Sequence, residues 1–138
     1  MSRQRLKTVS NKPEEFIPKA HLEYKKDAEK IEDRPLIFVG RCLNRDEDWV
    51  VRDIIELKDS KDTSKGVKGM GEAYKYMWEN LITEVKNVMA EDGDHDSLTG
   101  EKKDALWYSE GMEEEINEAI THFYTKGKLS DEEVKTSV

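Results

Sequence analysis

The stretch "MGEAYKYMWENLITEVKNVMA", residues 70–90, carries a long and regular pattern of apolar residues. They recur at intervals of three and four, at Met70, Tyr74, Met77, Trp78, Leu81, Ile82, Val85, Val88 and Met89. This spacing is the period of an α-helix with one apolar face. The stretch therefore predicts a helix of about five turns, and Trp78 is expected within the core that this helix covers.

Further elements are predicted before this helix. Residues 34–44, "RPLIFVGRCLN", form an apolar, partly β-branched run of strand length. Asn44 is then placed to cap a helix running from Arg45 to about Leu57, since acidic residues occupy the first turn. Residues 58–69 are polar and contain glycine, which predicts a surface loop. Near the N-terminus, Phe16, Ile17 and Leu22 predict a short strand or an arm laid on a partner, and Pro18 excludes a central strand.

The C-terminal half completes the predicted fold. Residues 91–104 are interpreted as an acidic loop, and a third helix is expected from about Ser109 to a stop at Gly127. Ser130 and Glu133 have the spacing of a capping box, which predicts a last short helical turn. The predicted class is α+β and predominantly α-helical, with three main helices plus a short β-strand or hairpin in the N-terminal half. Residues 1–13 are expected to be a flexible basic arm, and residues 14–138 a single small α-rich domain.

Length and composition narrow the class of protein. A chain of 138 residues is long enough for one domain. Charged residues make up 39% of it, against about 25% in an average soluble domain, which indicates a heavily solvated surface. The sequence contains no run of about 18 apolar residues, so no membrane span is predicted. The basic N-terminus lacks the apolar segment of a secretory signal. The single cysteine, Cys42, cannot form an internal disulfide, which favours an intracellular protein.

The negative charge is concentrated in one segment. Between Glu91 and Glu118 there are eleven acidic residues and two lysines, a net charge of −9, while the whole chain has −8. Such a segment is typical of a solvated face that keeps a protein soluble and repels nucleic acid. The alternative is a surface that mimics nucleic acid and binds a basic protein.

Calcium binding is a further interpretation of the same segment. Asp92, Asp94 and Asp96 match the first, third and fifth ligand positions of an EF-hand loop. The sixth position is Ser97 where the sharp turn needs glycine, and the twelfth is Lys103 where the ion needs a glutamate. We therefore expect a polar loop without a specific calcium site.

No catalytic or cofactor motif is evident. Residues 113–115 are consecutive glutamates, so on a helix they would point to different faces, and a place in the first turn explains them. His21, His95 and His122 have no metal-ligand spacing. The "GVKGMG" segment follows a polar stretch instead of a strand and does not match a phosphate-binding loop. We expect no catalytic, cofactor-binding or metal-binding residues, and a protein that is not an enzyme.

Two pairs of apolar residues are candidate partner contacts. Trp107 and Tyr108 lie outside any clear period, and aromatic residues of this kind often anchor interfaces. Phe16 and Ile17, beside the basic arm, are predicted to dock on a neighbour. The edge of the strand from Leu36 to Leu43 is a third candidate, because an exposed edge can accept a further strand.

The order of short motifs carries one resemblance. "EFIPKA", "DRPLIFVGRCLNRDEDWVVRDIIEL", a long Trp-bearing helix, "GMEEEINEAI" and "LSDEEVKTSV" follow one another between Glu15 and Ser137. In this order they resemble small tailed-bacteriophage proteins of the tail assembly chaperone type. The resemblance implies no enzyme activity. It implies binding to other tail proteins, the tape measure or the tail tube, in the host cytoplasm. The alternatives are an acidic inhibitor that mimics nucleic acid and a generic intracellular adaptor.

Overall fold

The computed structural model describes residues 12–61 and 66–136, and within these ranges four α-helices accompany one four-stranded antiparallel sheet. The helices are α1 (Arg45–Lys61), α2 (Gly66–Leu81), α3 (Gly100–Asp104) and α4 (Glu113–Thr136). The strands are β1 (Glu14–Phe16), β2 (Ile37–Gly40), β3 (Ile82–Ala90) and β4 (Gly93–Thr99), and they lie side by side in that order. Short 3-10 helices cover Lys19–His21, Ile31–Asp33 and Ala105–Tyr108. Most of the predicted basic arm, residues 1–11, lies outside the described residues.

The predicted fold class is wrong in its balance of helix and strand. The described chain is a mixed α+β structure and not a predominantly helical one with three helices. The helix predicted over residues 70–90 ends at Leu81, and the remaining residues form β3. Residues 91–104, interpreted as an acidic loop, contain β4 and α3. Half of the sheet therefore comes from segments that were predicted to contain no strand.

The misprediction of β3 has a local cause. Its buried residues, Ile82, Val85 and Val88, are three apart instead of two. Between Ile82 and Val85 the register against β2 shifts by one residue. Between Val85 and Val88, Asn87 has a left-handed backbone with φ of 61°, and its side chain donates a 2.8 Å hydrogen bond to the Pro35 carbonyl. In a regular strand every second side chain points to the same face, and each irregularity lengthens that interval to three residues. An apolar spacing of three also fits a helix.

The start of α1 confirms the predicted cap. The Asn44 side chain accepts a 2.8 Å hydrogen bond from the Glu47 amide, and the Glu47 carboxylate accepts a 3.2 Å bond from the Asn44 amide. This reciprocal pair satisfies two amides that a helix start would otherwise leave without partners.

The other helix limits were predicted less well. Helix α1 continues past Leu57 to Lys61, and α2 begins at Gly66, so most of residues 58–69 is helical and not a loop. Helix α4 begins at Glu113 and passes through Gly127, the predicted stop, as far as Thr136. Even at these lengths, none of the described helices is both long and apolar enough to cross a bilayer.

The core forms where α2 and α4 meet the sheet. Trp78 is fully buried, as predicted, and its indole packs edge-on against Phe38 of β2 with ring centroids 6.0 Å apart. Helix α4 contributes Ile120 and Phe123 to the same core. Cys42 is also buried, and burial raises the pKa of its thiol. These contacts bring β2, α2 and α4 into one packed unit.

Gly40, at the end of β2, allows the closest approach of these three elements. A Cβ at this position would lie 2.9 Å from the Leu81 carbonyl oxygen and 2.9 Å from the Phe123 ring. No ordinary Cβ contact is that short, and one of the two neighbours is backbone. Any side chain at residue 40 would therefore push β2 away from α2 or α4.

We expect Gly40→Ala to destabilise the fold by about 1–3 kcal/mol, because the added methyl group overpacks a closed site. Urea denaturation followed by tryptophan fluorescence measures this. Gly71→Ala is the matched control, since a Cβ at residue 71 meets nothing within 4 Å and alanine is favoured over glycine in a helix by about 1 kcal/mol. Equal midpoints for Gly40→Ala and the unmodified chain would contradict the close packing described here.

Candidate partner-binding surface

Two apolar grooves flank the first half of α4. The first groove, about 830 Å³, lies between α4 and the residues around β1, and the second, about 410 Å³, lies between α4, α2 and the 3-10 helix at Ala105–Tyr108. Phe16, Ile17, Leu22, Thr121 and His122 contribute to the first groove. Gly71, Tyr74, Trp107, Glu113 and Ile116 contribute to the second. Asn117 borders both grooves, so the two form one surface centred on α4, here called the α4 surface.

The wall of the first groove is fixed by contacts between β1 and α4. Phe16 pairs with Phe38 of β2, and its ring stacks on His122 with centroids 4.5 Å apart. Lys126 of α4 forms an ion pair with Glu14 of β1. A short strand at the edge of a sheet is thereby tied to the helix that faces it, which holds the groove open between them.

A second tie holds the segment after β1. The Lys19 amide donates a 2.9 Å hydrogen bond to the Glu118 carboxylate on α4. Leu22, three residues further on, leaves 65% of its surface exposed and lines the groove. The exposed surface of the first groove is mostly apolar. The ion pair between Lys126 and Glu14 and the hydrogen bond from Lys19 to Glu118 hold its walls together.

The imidazole of His122 is one of the titratable groups that line the first groove. Burial lowers the pKa of His122 below its ordinary value of 6.5, Lys126 lowers it further, and Glu14 opposes both effects. The ring is therefore held neutral against Phe16 at neutral pH.

The 3-10 helix at Ala105–Tyr108 positions the aromatic pair beside the second groove. Leu106 is buried and anchors the turn, while the Ser109 amide and hydroxyl both donate to the Leu106 carbonyl at 3.0 and 2.6 Å. Trp107 is half-buried and lines the groove. Tyr108 is 73% exposed, with the Lys75 ammonium 5.2 Å from the centre of its ring. One turn thus presents one aromatic residue to the groove and another to solvent.

Gly71 forms part of the opposite wall of the second groove. It lies inside α2, where glycine costs about 1 kcal/mol relative to alanine. Its backbone is not among those with positive φ, and a Cβ would meet nothing within 4 Å. Neither conformation nor packing requires glycine here. Its effect on the molecule is to leave the groove open.

The predicted partner residues thus lie on both sides of α4. Phe16 and Ile17 line the first groove and Trp107 lines the second, with Tyr108 next to it. Sequence reasoning missed Gly71 and Tyr74, because the wall they form exists only after α2 packs beside α4.

The edge of β2, the third candidate, is not exposed as predicted. Strand β2 lies between β1 and β3, with backbone pairing on both sides. A further strand therefore has no free edge to pair with along residues 37–40. The prediction failed because β1 and β3 were not recognised as its neighbours.

Glutamates are concentrated at the start of α4 and just before it. Residues 110–118 contain Glu110, Glu113, Glu114, Glu115 and Glu118 and no lysine or arginine. None of the five forms a salt bridge with another described residue. The three at residues 113–115 occupy the first turn of α4, where the helix dipole favours negative charge.

Two of the three aspartates that match calcium-ligand positions, Asp92 and Asp96, have other contacts. The Asp92 carboxylate accepts a 2.9 Å hydrogen bond from the His95 ring, and the Asp96 carboxylate forms a salt bridge with Arg34 at 2.8 Å. Across residues 12–56 and 71–126, whose side chains the structure describes, no group of three or more His, Cys, Asp or Glu is arranged to hold a metal ion. Asp92 thus stabilises the turn between β3 and β4, and Asp96 ties Arg34 to β4.

Comparison with known proteins returned no match to any family model, any curated protein or any solved structure.

The stability of the fold should fall as the pH is lowered through the range in which His122 titrates. Because the pKa of His122 is lowered in the folded chain, the unfolded chain takes up a proton first. The stabilisation is therefore present above about 6.5 and is lost as the pH drops toward the lower, folded-state pKa. Urea denaturation at pH 7.5 and pH 5.5 measures the loss.

The matched control is His122→Phe, which keeps a ring against Phe16 and cannot titrate. We expect the stability of this variant to change less between the two pH values. An identical change in the variant and the unmodified chain would assign the effect to other groups.

Proposed function

We propose that this chain is a non-catalytic assembly or structural protein of a tailed bacteriophage that binds other tail proteins through the α4 surface. The class of partner comes from the order of motifs between Glu15 and Ser137, which resembles tail assembly chaperones. The observation that carries the binding role is the pair of apolar grooves beside one exposed helix. The proposed partners are the tape measure or tail tube proteins, and the proposed site of action is the host cytoplasm.

The chemistry of the α4 surface suits protein recognition. Apolar patches exposed on an otherwise charged protein commonly mark interaction sites, and Trp and Tyr are enriched among the residues that dominate binding energy. Trp107 and Tyr108 provide that chemistry on one side of α4, and Phe16 and Ile17 provide it on the other. The surrounding glutamates keep the free protein soluble and add charge to the rim of the interface.

A nucleic-acid mimic is the second candidate. The observation that favours it is that Asp94 and Asp96 lie on β4, so part of the acidic segment has a regular backbone and not a loop. Asp96 is already paired with Arg34, however, which neutralises one of the charges that mimicry needs. Salt separates the two candidates, because a purely electrostatic complex weakens steeply as salt increases.

Affinity purification of the tagged chain from infected cells, at low and high salt, tests the proposal. We expect tape measure or tail tube proteins at both salt concentrations, because apolar contacts are screened little by salt. Recovery only at low salt of a basic nucleic-acid-binding protein would favour the mimic. Detection of the chain in purified particles would indicate a structural protein, and its absence there a chaperone.

Replacing both Trp107 and Tyr108 with serine should weaken this capture by at least about tenfold, the loss typical of an aromatic anchor. Trp49→Ser is the matched control, since Trp49 is 59% exposed on α1 and lines neither groove. Circular dichroism establishes that the variants are folded. Full capture by the folded double variant would place the interface elsewhere.

A further inference from the structure

We propose that the second groove binds one apolar side chain of a partner segment that also carries lysine or arginine. This inference rests on the proposed function, because it assumes that the α4 surface binds a protein, and it adds the chemistry of the bound segment. Three features of the groove support it: its shape, the residues of its floor and the charge of its rim.

The shape of the groove depends on a missing side chain. Gly71 sits within α2 without a positive φ, and a Cβ there would meet no atom within 4 Å. A helix that packs for stability alone would gain from alanine at this position. The glycine leaves a groove of about 410 Å³ between α2 and α4. The opening faces solvent, so an external side chain can reach it.

The floor of the groove selects an apolar occupant. Tyr74, Trp107 and Ile116 present ring and aliphatic surfaces to it. The Tyr74 hydroxyl lies 3.4 Å from the Thr121 hydroxyl on α4, within hydrogen-bond range, so its polar end is already engaged. An aliphatic or aromatic side chain would therefore gain burial without leaving a polar group of the floor unpaired.

The rim of the groove selects a cationic neighbour for that side chain. Glu113 lines the groove, and Glu110 and Glu114 are exposed close to it in the sequence. None of these carboxylates pairs with a cation among the described residues. Lys75, on the Tyr108 side, is engaged by the Tyr108 ring and hydroxyl, which raises the pKa of the lysine. Acids that lack a cationic partner among the described residues, beside an apolar floor, complement a segment with Lys or Arg next to an apolar anchor.

Selection of random peptides displayed on a surface, using the full chain as bait, tests the inference directly. We expect enriched peptides to combine an apolar residue with lysine or arginine. Synthetic copies of the enriched peptides are then titrated against four variants of the full chain. Gly71→Phe fills the groove from α2, Asn117→Phe obstructs it from α4, and Glu113→Gln removes a charge from the rim. Trp49→Ser is the control, since Trp49 is exposed on α1 and lines neither groove.

Support consists of binding that is at least about tenfold weaker with Gly71→Phe or Asn117→Phe and unchanged within about twofold with Trp49→Ser. Glu113→Gln should weaken binding by a smaller factor, with a reduced dependence on salt. Two blocking variants are used so that a failure of one to fold does not remove the test.

Three results would overturn the inference. The first is that no peptide is enriched, or only peptides without lysine or arginine. The second is that both folded blocking variants bind the peptides as tightly as the unmodified chain does. The third is that sequences like residues 1–13 of this chain are enriched. The last result would make the chain's own basic segment the occupant. If cationic apolar peptides bind in the groove but no tail protein is captured from infected cells, the groove assignment stands and the phage function fails. If tail proteins are captured from infected cells but no such peptide binds in the groove, the proposed function stands and the groove assignment fails.

Discussion

The C-terminal end of α2 is the point on which the rest of the structure depends. A helix leaves its last four carbonyls without intrahelical partners, and here the chain passes directly from α2 into β3 without a loop. The Trp78 carbonyl accepts a 2.8 Å hydrogen bond from the Lys103 ammonium. The Asn80 carbonyl accepts a bond from the Arg41 guanidinium at 3.1 Å, and the Leu81 carbonyl accepts one from the Arg41 amide at 3.0 Å. Two cations from distant parts of the sequence therefore fix where the helix stops.

Both cations are integrated into other parts of the fold. Arg41 also forms a two-point ion pair with Glu47, at 2.6 and 2.7 Å, which joins the end of α2 to the capped start of α1. Lys103 is only 2% exposed, and its ammonium lies 4.8 Å from the Trp78 ring centre and 2.5 Å from the Asp104 carboxylate. A buried ammonium is costly unless its charge and hydrogen bonds are compensated. These contacts provide that compensation only when α2, α3 and the sheet are all in place.

The same junction positions the α4 surface. The Trp78 indole donates a 3.2 Å hydrogen bond to the Asp104 carbonyl, the residue before the 3-10 helix that carries Trp107. Trp78 thus holds both Lys103 and Asp104, and through them it places Trp107 opposite Gly71. The groove between α2 and α4 is therefore a consequence of how the core closes. Its apolar floor rests on residues that also stabilise the fold, while the glutamates of its rim, at the start of α4, form no salt bridge with another described residue.

The sequence by itself determined the features whose causes are local. The cap at Asn44, the strand around Phe38, the edge position of the segment before Pro18 and the burial of Trp78 follow from side-chain type and short-range spacing. The sequence also indicated the aromatic and apolar residues at positions 16, 17, 107 and 108 as candidate partner contacts. Only the tertiary structure decided that residues 70–90 divide at Leu81, because the cations that end α2 come from residues 41 and 103. Only the tertiary structure decided that Gly71 opens a groove, because the missing side chain leaves a space only when α4 packs beside α2. Local patterns record propensity, whereas helix ends and surface grooves depend on partners far away in the chain.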